Sequence, residues 1–235
     1  MLGGVITTHW DSLLPIIGRA VTIMGWLALP LLLLPFLYLL LSKSPFLNRL
    51  SDALIHTIDT LNYCLGEIIK WALPVLVLTV AFSVFTLSIF GQSWTKLFES
   101  AEYLHAAVIM LGAGATLLAG QHVRVDIFHT DMTPRARALV DFCGFYVLLL
   151  PVCLIILWNS QSYVSLSWRY FEGSAEADGI RGEFLLKTLI PLFSIFMIFQ
   201  GLAIALRAAR QLAGKEPLPR PPNTPPFFLP EDKTP

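Results

Sequence analysis

Titratable side chains inside long apolar runs are where this chain would do chemistry, because an ionisable group at membrane depth is costly and by default marks an ion path, a proton relay or a ligand. Few are present. Asp141 stands inside an apolar run, four residues after Arg137, a spacing that suits an ion pair along one helix face. Lys187 lies just inside the start of another run, from where its stem can snorkel to the membrane surface. Glu102 sits at a run's edge. His105 is within a run, but haem held between helices needs a second axial histidine at similar depth. His122 is at the far end of the same run, and His56 lies in a segment of another kind. Cys64, Cys143 and Cys153 show no C-x-x-C spacing and read as free, buried thiols. No phosphate-binding glycine loop, H-E-x-x-H pair, or serine or cysteine catalytic constellation occurs. The paired broken helices with midplane polar clusters on which secondary carriers hold solutes are missing too. The residues predict no catalytic site, no cofactor and no metal centre, hence not an enzyme.

The elements around these residues are membrane spans. Of 235 residues, 55% are hydrophobic and 14% charged, with mean hydropathy +0.68; soluble domains carry roughly 25% charged residues. Apolar runs of about 20 residues, the length that crosses a bilayer core of roughly 30 Å, recur at 20–41, 71–90, 101–120, 136–160 and 184–206. The formal net charge of +0 implies no basic face for nucleic acid. The first run is too long for a signal-peptide core and has no basic stretch before it beyond Arg19, so it reads as a retained span. Pro30 and Pro35 within it predict a kink, and Pro151 a break in the fourth.

Residues 46–70 differ in kind. Leu47, Leu50, Leu54, Ile58, Leu61, Leu65 and Ile68 recur at three- and four-residue steps, with Arg49, Asp52, Asp59, Asn62 and Glu67 between them. This is an amphipathic helix whose polar face would be unsatisfied in hydrocarbon, so it is expected to lie in the interface or against another protein's helices. In the third span Gly112, Thr116 and Gly120 recur every fourth residue, the small-xxx-small spacing that lets helix backbones approach closely. The predicted fold class is an all-α integral membrane protein, a bundle of about five transmembrane helices plus one amphipathic interfacial helix. Its expected divisions are a lead-in and extra span (1–45), an interfacial arm (46–70), a four-helix domain (71–213) and a proline-rich disordered tail (214–235). Loop 121–135 and the residues after 206 are basic, whereas loop 161–183 is net acidic. The positive-inside rule therefore predicts the N-terminus outside and the C-terminus in the cytoplasm.

Gln121-His122-Val123-Arg124-Val125-Asp126-Ile127-Phe128 is the most polar short segment between two spans. It resembles the H-V-R-V-D signature of the small permease subunit of tripartite ATP-independent periplasmic (TRAP) transporters. A second block agrees in order and spacing: Ser167-Trp168, then Glu172 and Ser174, Lys187, Pro191, and Gln200-Gly201. Asp178-Gly179-Ile180-Arg181 stands where that family often has G-G-L-P, and residues 1–45 add a span to its usual four. The resemblance, which covers about Arg49 to Gln211, implies a small non-catalytic subunit of the bacterial inner membrane. Its implied partners are a large multi-spanning permease, a periplasmic solute-binding protein and membrane lipid. It further implies ion-driven uptake, typically with sodium, of an organic acid by an elevator motion of the large subunit.

Within that picture His122, Arg124 and Asp126 form the signature loop, which would clamp the ends of the third and fourth spans or dock the partner. Arg124 and Asp126 are two residues apart and would pair only in a turn or strand-like backbone. Gly112, Thr116, Gly120, Leu54, Ile58, Leu61, Glu172, Ser174 and Lys187 are the candidate partner-facing residues. Two other readings stay open: a haem-binding or electron-transfer membrane anchor, and a stand-alone small carrier.

Overall fold

The computed structural model describes residues 30–122, 132–216 and 218. In order, the elements are α1 (Leu34–Leu40), α2 (Pro45–Ile69), α3 (Ala72–Phe90), α4 (Thr95–Ala119), α5 (Pro134–Gly144), a π-helical turn (Phe145–Leu149), α6 (Leu150–Tyr170) and α7 (Glu183–Leu212). Four helical stretches are long and apolar enough to cross a membrane: Pro45–Phe90, Thr95–Ala119, Pro134–Tyr170 and Glu183–Leu212. They contain the second to fifth expected spans. The helices outrun the apolar runs: α4 takes in Lys96 and Glu99, and α6 continues to Tyr170.

The central post is α7, against which α1, α2, α4, α5 and α6 all pack. Small residues explain why. Ala203, Ala205 and Ala209 are fully buried, and a Cβ on Gly201 would stand 2.6 Å from the Phe145 ring and 2.9 Å from Leu149. One cluster gathers Leu34, Ile55, Ile58, Phe145, Leu202 and Leu206; a second gathers Tyr38, Leu47, Ala138, Phe142, Ala208 and Ala209. By contrast α3 is apolar on all sides and rests chiefly on α4, leaving most of its surface outward.

Residues 1–29, which include most of the first expected span, lie outside the described residues. The described end of that run behaves as its prolines predict: helical hydrogen bonding is interrupted at Leu33, and α1 starts afresh with Pro35 in its first turn. Pro151 acts differently from the expected break. The preceding turn widens to a π-helix at Phe145–Leu149, which absorbs the amide hydrogen bond that proline cannot donate, and the helix runs on.

Packing within the chain shows two things that spacing does not. The arm is amphipathic, and the face it turns to its own bundle mixes polar residues with part of the apolar stripe. Ser51, Asp59 and Asn62 are buried along with Leu47, Ile55 and Ile58, while Leu61 is 45% and Ile68 68% exposed. The polar residues turn inward because α7 supplies partners for them. Within the subunit, the close approach of α4 to α2 passes through Gly114 and Ala115. A Cβ on Gly114 would fall 2.2 Å from Asn62 Oδ1, and one on Gly66 of α2 would fall 2.6 Å from Ala115 Cβ, whereas one on Gly112 would meet Ile69 at an ordinary 3.7 Å. Thr116 bonds the Gly112 carbonyl at 2.8 Å, and Gly120 ends the helix at φ 70.

Candidate functional site

Where α2 crosses α7, a polar network lies inside the bundle. The Asp59 carboxylate receives Arg207 through Nη1 at 3.3 Å and again through Nη2. Gln200 Nε2 donates to Asp59 at 3.1 Å, and Asn62 Nδ2 donates to Gln200 Oε1 at 2.9 Å and to the Ile58 carbonyl at 3.2 Å. Asp59, Asn62 and Gln200 are all but fully buried. Buried charge is tolerated only when paired and hydrogen-bonded, and here each element supplies what the other lacks. Further along the same crossing Arg210 pairs with Asp52. Lys215 then reaches Asn48 Oδ1 at 2.6 Å, which the Tyr38 hydroxyl also meets at 2.6 Å. The segment after α7 thus ties the turn between α1 and α2 to the end of the post. Arg207 Nε donates to the Leu218 carbonyl at 3.2 Å, which closes the network from that side.

At the opposite end, loop 171–182 is held by two carboxylates. Glu99 of α4 accepts the Ile180 amide at 2.5 Å and the Ser174 hydroxyl. Gly179 is packed so tightly there that a Cβ would lie 2.2 Å from Ser174 Oγ and 2.6 Å from Glu99 Oε1. Glu172 accepts Lys187 Nζ at 2.5 Å, and Glu183 approaches the same ammonium at 3.6 Å. Lys187 also lies 4.3 Å from the centroid of the Tyr163 ring. Its stem is buried, and its ammonium is held among these partners at that end of the bundle. The Lys187 bond holds the Glu172 carboxyl below the usual glutamate range. Phe171, left-handed at φ 46, turns the chain off α6 so that Glu172 faces α7, and its ring packs on Phe184 at 5.7 Å.

Of the signature loop, His122 folds back with Nε2 3.3 Å from the Ala113 carbonyl. Arg124 and Asp126 lie outside the described residues. No cluster of three or more His, Cys, Asp or Glu suited to a metal forms among the described residues.

The family model described as "Tripartite ATP-independent periplasmic transporters, DctQ component" matches residues 76–211, more than half of the chain. The chain belongs to that family. It is a TRAP transporter component, a small multi-pass membrane subunit. No curated protein and no solved structure matches it. Arm helix α2 lies before the matched region, so the Asp59 half of the buried network joins a segment outside the family match to a residue, Arg207, within it.

The structure brings Glu172, Ser174 and Lys187 of this DctQ component into one bracket with Glu99. It scatters the other candidates: Ile58 and Leu54 pack inward against α7's cluster and Leu61 faces out. Asp59, Asn62, Gln200 and Arg207 were missed as a set. Asp59 and Asn62, three apart on one helix, were the available signal, but their partners are roughly 140 residues away and lie in an otherwise apolar run.

Proposed function

We propose that this DctQ component braces the static scaffold of a large elevator-type permease, which itself carries the solute. The system takes up an organic acid, handed over by a periplasmic solute-binding protein and driven by an ion gradient, sodium being the expected ion. The small subunit binds neither solute nor ion. One observation supports this most: the charged and amide residues buried between α2 and α7, with Lys187, are engaged with partners inside the chain, and α3 and α6 present broad apolar flanks. Asp59, Asn62, Gln200, Arg207 and Lys187 face inward into bonds, while Val75, Leu78, Phe82 and Phe85 of α3 and Leu148, Val152 and Ile155 around α6 are exposed. A carrier needs polar groups along a solute path; a brace needs a rigid interior and broad apolar flanks.

In this reading the N-terminus is outside and the C-terminus cytoplasmic. The bracket of Glu99, Glu172, Ser174 and Lys187 then shapes the surface that the binding protein meets, and His122, Arg124 and Asp126 fasten the cytoplasmic ends of α4 and α5. Affinity purification from native membranes in mild detergent tests the assignment. A large permease should co-elute in fixed stoichiometry. Solute uptake by vesicles containing this chain alone would overturn the brace and establish the carrier.

A further inference from the structure

The outward face of α2 has two zones in helical register. Phe46, Arg49, Ala53, His56, Thr60 and Cys64 recur at three- and four-residue steps, and all are exposed. From His56 onward this face hollows into a groove of about 570 Å³, lined by Thr57, Leu61, Leu65 and Ile68 and walled by Phe196 of α7. Its lining is almost wholly apolar, since the Thr57 and Thr60 hydroxyls are spent on the Ala53 and His56 carbonyls at 2.8 and 2.7 Å. Just before the groove, Arg49 and Lys43 carry cations with no ion-pair partner among the described residues. Asp52, the acid nearest in sequence, is taken by Arg210. So the face offers unbalanced positive charge at one end and an apolar channel at the other.

The dimensions suit an amphiphile. His56 to Ile68 spans twelve residues, about 18 Å of helix, close to one leaflet's share of a hydrocarbon core of roughly 30 Å. Arg49 stands two turns before His56, toward the end where Arg210 and Lys215 close α7. That end is where a positive-inside protein meets anionic headgroups. We propose that the outer face of α2 is a phospholipid site: Arg49, aided by Lys43, takes an anionic headgroup phosphate, and the groove from His56 to Ile68 takes one acyl chain. A guanidinium suits a phosphate because it donates two parallel hydrogen bonds in a fixed plane. This site is independent of which solute the transporter moves, and its headgroup end rests on the cytoplasmic placement of the end of α7 in the proposed function.

The test uses the purified, delipidated assembly titrated with palmitoyl-oleoyl phosphatidylglycerol and followed by native mass spectrometry. One lipid should bind tightly. Arg49→Gln should weaken it roughly five-fold, and adding Lys43→Gln should weaken it by about as much again. Cys64→Trp, which fills the groove from an exposed position, should abolish the bound lipid, whereas Leu73→Trp on α3 should leave it. Dioleoylglycerol, with acyl chains but no phosphate, should bind no better to wild type than to Arg49→Gln. A second reading uses Cys64 itself, in a Cys143→Ser background: its maleimide labelling should slow when phosphatidylglycerol is added back. Equal lipid binding by wild type and Arg49→Gln/Cys64→Trp would overturn the proposal. So would protection of Cys64 that survives delipidation and disappears only when the large subunit is removed, which would assign the groove to a partner helix.

Discussion

The guanidinium of Arg207 grips both oxygens of Asp59, 148 residues earlier in the chain, at a place where the aspartate is only 2% exposed. Two charges so buried are stable only together. Asp59→Asn or Arg207→Gln alone leaves an uncompensated polar group and should cost about 3–5 kcal/mol, read as a large drop in the melting temperature of the detergent-solubilised protein. The double replacement Asp59→Leu/Arg207→Met should recover most of that loss. Additive effects of the two single changes would show that the contact holds no coupling energy.

Gly114 gives a sharper test of how α2 seats on α4. A Cβ there would collide with Asn62 Oδ1 at 2.2 Å and crowd Phe196 Cβ at 3.3 Å. Gly114→Ala should therefore displace Asn62 from Gln200 and cost about 1–3 kcal/mol, as overpacking does. Gly112→Ala, with only an ordinary contact at 3.7 Å to Ile69, should change stability by less than about 0.5 kcal/mol. The same melting measurement on both variants decides the matter, since equal effects would mean that the contact is not specific to Gly114.

That contrast also marks where information in the amino-acid sequence ends and packing begins. Hydropathy located four spans, since nothing else satisfies 20 apolar residues in a row, and α3, apolar on every side, could hardly be misplaced. Periodicity locates α2 and its amphipathic character, but it weighs apolar residues alone and leaves open which residues meet the rest of the chain. The face turned to α7 is set by Gln200 and Arg207, which no local pattern in residues 46–70 announces. Gly112, Thr116 and Gly120 follow a spacing rule that names no neighbour, whereas Gly114 lies against Asn62, a contact that spacing does not reveal. Pro151 was legible as a disturbance, but not as a π-turn, because a missing amide bond can be accommodated by a kink, a break or a widened turn, and residue type alone does not choose among them. In the bracket at loop 171–182 the sequence singles out Glu172, Ser174 and Lys187 but not Glu99, which lies ahead of the apolar run in the first turns of α4.

Glu99 has a measurable consequence of its own. Its carboxylate takes the Ile180 amide at 2.5 Å and the Ser174 hydroxyl, so it clasps loop 171–182 from another helix. Hydrogen bonds to a charged group contribute about 1.5–3 kcal/mol. Glu99→Ala should raise exchange of the Ile180 amide with deuterated water by roughly ten-fold or more, with protection elsewhere in α4 unchanged. Gly179→Ala should produce the same local opening by steric means, since its Cβ would stand 2.2 Å from Ser174 Oγ and 2.6 Å from Glu99 Oε1. Unaltered exchange at Ile180 in both variants would remove Glu99 from this role.

Glu172 supplies the pH dependence. Its bond from Lys187 lowers its folded-state affinity for a proton, so the unfolded chain takes up protons first as acid is added. A depressed carboxyl contributes stability that is fully present above the unfolded value, about 4.3, and is lost as pH falls through the lower folded value. Melting temperature should therefore hold level from neutral pH down to about 5 and then decline for wild type. Both Glu172→Gln and Lys187→Met should melt lower at neutral pH and weaken the acid decline, because the first removes the titrating group and the second removes the largest cause of its lowered proton affinity. Because Glu172 is 41% exposed, water screens the pair, and the decline should be shallow and should weaken with added salt. An acid decline as steep in Lys187→Met as in wild type would trace it to other carboxylates and leave the Glu172 bond without a share in it.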